Sequence, residues 1–100
     1  MKILTVREPL AELIAAGVKT IELRSWRTTY RGPLLLCAGS FKNNRPTGPA
    51  LCVVELVDVR RYVFGDDDLA TCCHGYPGAW AWVLGRVSPL PAMRIERPPA

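Results

Sequence analysis

The chain has 100 residues, 49% of them hydrophobic and 22% charged, with a mean hydropathy of +0.10. Two cores would leave about 50 residues each, near the lower limit for an unstapled fold, so the length predicts a single domain over residues 1–100; the charge fraction is too low for disorder, and no apolar run approaches the roughly 18 residues of a membrane helix. The formal charge of +4 is uneven, because residues 1–45 hold eight Lys or Arg against three Glu, whereas residues 46–100 hold five Arg against six acids.

Residues 2–7 alternate and carry β-branched side chains, which predicts a first strand. The same stretch reaches Arg7 too soon to contain the apolar run of a secretory signal, so the expected location is the cytoplasm. Pro9 suits the first position of a helix; Leu10, Leu13 and Ile14 then recur at helical spacing, and Gly17 supplies a left-handed stop. Thr20 to Trp26 alternate with period two, which places Thr20, Glu22, Arg24 and Trp26 on one face and Ile21, Leu23 and Ser25 on the other. With Ile21 and Leu23 turned inward, Trp26 would share a charged face with Glu22 and Arg24, a candidate stacking platform.

Gly32-Pro33 marks a turn into a buried strand over residues 33–38, and residues 39–49 read as a surface loop. Residues 50–63 form the longest strand-like run, of the kind used in a barrel or a strongly twisted sheet. Asp66, Asp67 and Asp68 precede a short helix ending near Gly75, and acids there suit capping better than cation binding. Residues 79–87 predict the last long strand, with Trp80, Trp82 and Leu84 on one face. A proline-rich tail over residues 88–100 is expected on the surface, with an edge strand near 93–95. Cys37 and Cys52 sit in apolar runs and read as small buried hydrophobes, while Cys72 and Cys73 lack Cys-x-x-Cys spacing, so no metal and no cofactor are expected.

Strands that bunch together between two short helices argue for an α+β fold and against a parallel βαβ sheet. Within the basic half, Lys19, Arg24, Arg27 and Arg31 fall in thirteen residues offset by Glu22 alone, with Trp26 and Tyr30 among them. Cations interleaved with rings suit a ligand that has both phosphates and bases. A solvated basic face is the plain alternative, in which Glu22 and Arg24 simply pair and Arg31 holds a turn.

Four stretches carry a resemblance to a known family. They are Ile3 to Pro9, Gly17 to Trp26 with its Gly-Val-Lys-Thr-Ile-Glu-Leu-Arg-Ser-Trp run, Tyr30 to Leu36, and Ala79 to Leu84. In order and spacing they resemble the ASCH family, a branch of the PUA-like superfamily. Leu10 replaces the tryptophan common after the proline, and Cys37 stands where members often have histidine. The resemblance implies a PUA-like β-barrel of five or six strands with two short helices beside a basic cleft. It implies RNA or a nucleotide as ligand, with DNA a further candidate. Lys19, Glu22, Arg24 and Trp26 would then line the cleft, with Arg27, Tyr30 and Arg31 beside it. One bacterial branch removes the acyl group from N4-acetylcytidine and is similar in its Gly-x-Lys-Thr-x-x-x-Arg stretch, although Glu22 here occupies that branch's threonine position. Two enzymatic alternatives therefore stay open, an N4-acylcytidine amidohydrolase and a metal-independent ribonuclease, with Lys19 and Glu22 as the catalytic candidates in either. A protein-interaction module that uses the tail is the remaining alternative.

Overall fold

The computed structural model describes residues 1–90; the edge strand expected near 93–95 lies outside the described residues. In chain order the elements are β1 (Lys2–Val6), α1 (Leu10–Ala15), β2 (Ile21–Arg24), β3 (Gly32–Ala38), β4 (Phe41–Lys42), β5 (Arg45–Pro46), β6 (Ala50–Arg61), α2 (Asp68–Thr71) and β7 (Trp80–Ser88). Five strands form one mixed sheet in the order β1-β3-β6-β7-β2, with β1 parallel to β3 and every other pairing antiparallel.

The long strand β6 makes this sheet curl. Its register against β7 shifts between Val54 and Leu56 and again between Leu56 and Asp58, and such irregularities bend a strand and increase its twist. Val54 and Leu56 therefore point into a closed interior together with Leu34 and Leu36 of β3, Leu4 and Val6 of β1, and Trp82 and Leu84 of β7. Helix α1 plugs one end of that interior through Ala11 and Ile14, both fully buried. The result is a half-barrel with two short helices, an α+β fold of PUA-like form. Its outer strands β1 and β2 face each other across an open seam.

Three local expectations change on contact with the coordinates. The segment 39–49 contains a small hairpin, β4 with β5, whose two-residue turn Asn43-Asn44 takes positive φ at both positions. The aspartates do not cap α2 through their side chains. Asp67 turns back to Arg60 and to the Val63 N–H, and Asp68 accepts from the Tyr62 hydroxyl, because these partners from the end of β6 reach the carboxylates first. Strand β2 stops at Arg24, where its ladder with β7 ends opposite Trp80, so Trp26 is not part of the strand. Cys37 and Cys52 are buried as expected. No helix among the described residues is long and apolar enough to cross a membrane.

Candidate functional site

The site begins where α1 ends. Gly17 takes φ +76°, and the N–H groups of Val18 and Lys19 both donate to the Leu13 carbonyl at 2.9 and 3.0 Å. The chain is thereby reversed beneath the helix. The Thr20 N–H donates to Ala70 O at 2.9 Å and the Thr20 carbonyl accepts from the Leu84 N–H at 2.9 Å, which ties the start of β2 to both α2 and β7.

Lys19 turns inward and is only 1% exposed. Its Nζ donates to Ile21 O at 2.7 Å and to Thr71 O, and lies 3.5 Å from Glu22 Oε1. Two carbonyls thus accept from the ammonium, and one carboxylate lies beside it. A charge so deeply buried requires such pairing. Cys73 Sγ lies 4.0 Å from the same nitrogen. The phosphate-neutralising role expected for Lys19 has no exposed ammonium to carry it in this arrangement, and the side chain joins β2 to the end of α2.

Glu22 is also buried, and its second oxygen lies 3.0 Å from Arg24 Nη2, so one carboxylate sits between an ammonium and a guanidinium. The same Arg24 Nη2 donates to Thr5 O on β1. Arg24 therefore spans the seam between the outer strands, with its Nε–H buried and without an acceptor among the described residues. A cleft of about 360 Å³ opens at this seam. Glu22 and Arg24 form its polar floor; Thr5 comes from β1, Arg7 from just past its end, Ser40 from beyond β3, and Cys73, His74 and Tyr76 from the segment after α2.

The remaining sequence-predicted residues lie beside the cleft, not in it. Trp26 is 54% exposed and lines a neighbouring groove with Arg24 and Arg27. Its position is fixed by the Trp82 indole N–H, which donates to Trp26 O at 3.1 Å while the two rings meet edge to face at 6.2 Å. Arg27 lies against the Trp80 ring, 5.4 Å from its centroid. Tyr30 folds over Gly32 and donates to Pro33 O at 2.5 Å. Arg31 donates to Thr28 O and Tyr30 O and lies 3.6 Å from Asp58. Lys19, Glu22 and Arg24 are thus brought together, although Lys19, expected to line the cleft, lies buried behind it; Arg27 and Arg31 share a separate groove, and Tyr30 packs against the core beside Lys2.

The sequence reading missed Arg7, Ser40, Cys73, His74 and Tyr76 as cleft walls. The run Cys72-Cys73-His74 is a sequence signal for two of them, Cys73 and His74, since thiol and imidazole side chains stand there together. At the start of α2, the Asp67 carboxylate receives two N–H donors from Arg60 at 2.8 and 2.9 Å and the Val63 N–H at 2.7 Å. The Arg60 bonds first, and the Val63 bond second, hold that carboxyl below its usual range; the same contact raises Arg60. The Tyr62 phenol, donating to Asp68, is pushed up to about 12. Burial raises the thiols of Cys37 and Cys52, with Glu12 adding to the effect at Cys52.

A curled sheet, a helix plugging one end and a polar cleft at the unzipped seam define a PUA-like domain. The ASCH domain profile matches residues 4–83, four-fifths of the chain, and takes in every residue of the cleft floor and walls. The protein belongs to the ASCH family, whose PUA-like domains are associated with nucleic-acid binding. A search of curated proteins gives no match to the chain.

Proposed function

We propose that the cleft at the β1–β2 seam binds a nucleobase of RNA or of a modified nucleotide, with Glu22 accepting from the amino or imino edge of the base and Arg24 donating to its carbonyl or ring nitrogen. The observation that carries this reading is the Lys19–Glu22–Arg24 relay. It fixes a carboxylate and a guanidinium side by side on the floor of a cleft at the small end of the size range for ligand pockets. Bases present adjacent donors and acceptors on their edges, and a rigid donor–acceptor pair matches that pattern at little entropic cost. Tyr76 and His74 on the wall offer rings against which a base can lie.

Binding is favoured over hydrolysis by the position of Lys19. It is 1% exposed and does not line the cleft, so the proton-accepting role required of it in an amidohydrolase or a ribonuclease is out of reach of a ligand there. Calorimetric titration with cytidine, N4-acetylcytidine, uridine, adenosine and guanosine, with parallel assay of acetate release, tests this reading. The expected result is saturable binding of at least one nucleoside without turnover, weakened about tenfold or more in Glu22→Gln. Acetate release that depends on Lys19 would replace the binding reading with the enzymatic one, and absence of binding by all five would remove both.

A further inference from the structure

The cleft does not end at Arg24. A groove of about 450 Å³ shares Thr5 and Arg24 with it, and a second groove of about 580 Å³ shares Arg27 and Thr28 with the first. The three thus lie side by side in a row that starts at the seam, passes Trp26 and reaches Trp80 at the start of β7. The charged residues lining its two outer grooves are Lys2, Arg24, Arg27 and Arg31, and neither groove has a carboxylate in its wall.

The state of these cations separates this path from an ordinary solvated face. Arg27 makes no ion pair among the described residues and is stacked against Trp80, whose ring also carries Arg61 at 4.1 Å. Stacking fixes a guanidinium by its plane and leaves its N–H edge free for an anion. Arg24 lies 5.5 Å from the Trp26 ring. The Arg31 partner, Asp58, is at 3.6 Å with both side chains well exposed, a pairing of small worth that a phosphate can displace. Between the cations, Trp26 and Phe41 are about half exposed and present ring surface to solvent. An acidic protein surface would engage the cations but would leave those rings without a partner. A single nucleic-acid strand uses both, its phosphates meeting the cations and its unstacked bases the rings.

We infer that the ligand of this protein is a single-stranded RNA several nucleotides long, one base of which enters the Glu22 cleft while the adjoining backbone runs along the Trp26 and Trp80 grooves. This rests on the nucleobase reading of the cleft and extends it from a nucleoside to a strand. With Arg24 held by Glu22 and Thr5 O, the other three cations on the path, Lys2, Arg27 and Arg31, give an affinity that falls with salt at a logarithmic slope of about −2, about twentyfold between 50 and 200 mM.

The test compares a single-stranded RNA of about eight nucleotides with the corresponding nucleoside, with a duplex RNA and with a DNA strand of the same sequence, using the full chain. The octamer should bind at least tenfold more tightly than the nucleoside, with the salt slope above, while the nucleoside shows almost none. In R27A/R31A, two surface positions whose folding is checked by thermal melting, the octamer's salt dependence should fall to about threefold over the same range. Its affinity should drop at least tenfold more than that of the nucleoside. Equal affinity for octamer and nucleoside, an unaltered slope in the double variant, or tighter binding of duplex RNA or of DNA would each overturn the inference. Octamer binding untouched by Glu22→Gln would sink the cleft reading and leave the grooves standing, so the two failures are distinguishable.

Discussion

Replacing Lys19 with methionine removes the ammonium while keeping most of the side-chain volume. The variant leaves the Thr71 and Ile21 carbonyls without their charged donor, and Glu22 with Arg24 as its one remaining cation. Hydrogen bonds to charged groups contribute about 1.5–3 kcal/mol each, and breaking one side of a buried ion pair costs about 3–5 kcal/mol. Relief from burying an ammonium offsets part of the sum, so a net loss of about 3–5 kcal/mol is expected. Against a total of about 5–15 kcal/mol for a domain this size, that is a large fraction, and the melting temperature should fall by about 12 °C or more. Urea titration followed by far-UV circular dichroism measures it, with an unchanged m-value showing that the unfolded state is not what moved. Glu22→Gln supplies the control, since its Lys19 still has both carbonyls. The loss in Glu22→Gln should be clearly smaller than in Lys19→Met. A Lys19→Met stability within about 1 kcal/mol of wild type would refute the claim that this side chain fastens β2 to α2.

The connection between β6 and α2 should respond to pH at both extremes. Asp67 has its folded value depressed below 3.8, so its contribution is present above that pH and is lost as pH falls through the lower folded value; Arg60→Met should flatten the acid limb of the stability curve. Tyr62 behaves in the opposite sense, because a phenol raised from 10 to about 12 favours the folded state below pH 10 and loses that advantage as pH climbs toward 12. Tyrosinate absorbance should show one late-titrating phenol that Tyr62→Phe abolishes; titration of every tyrosine at the ordinary pH would contradict the Asp68 contact. Gly48→Ala would set a Cβ 2.2 Å from the Ala38 carbonyl oxygen, a backbone atom that cannot swing aside. A destabilisation of about 1–3 kcal/mol by urea titration is expected, and a neutral result would mean that β3 and the hairpin segment lie farther apart.

Much of the architecture was legible because it is written in local periods. The spacing of Leu10, Leu13 and Ile14, the stop at Gly17 and the long β-branched run from residue 50 need only near neighbours to be interpreted, and each became the expected element. The hairpin at Asn43-Asn44 was legible as well, since two turn-forming residues with positive φ between short flanks are a hairpin signal, but the surrounding glycines and prolines masked it. Trp26 was placed on β2 by extrapolating a period of two beyond the point where a partner strand exists. The ladder ends at Arg24 opposite Trp80, and after that the backbone is positioned by one bond from Trp82, 56 residues away. Lys19 was still harder to read, because its partner Thr71 offers a carbonyl that every residue type possesses. No pattern of side chains can announce a contact to the backbone 52 residues away.

The seam explains why the residues proposed to bind a base also hold the fold together. A barrel zipped by a complete ladder would leave no room between β1 and β2, and a barrel left unzipped would expose two strand edges with unpaired backbone groups. Here Arg24 reaches Thr5 O from the opposite strand and holds Glu22, so side chains take over part of the ladder's role and a cleft remains where the ladder would have been. Arg24→Ala is therefore a poor probe of ligand binding, since it frees the Thr5 carbonyl and removes a cation from Glu22 at once. Glu22→Gln is the better one: the amide oxygen can still accept from Arg24 and the volume is kept, while the negative charge on the cleft floor is gone. A loss of nucleoside affinity in that variant with the melting temperature nearly preserved would locate recognition in the carboxylate. Parallel loss of both would show that Glu22 serves chiefly to hold the seam.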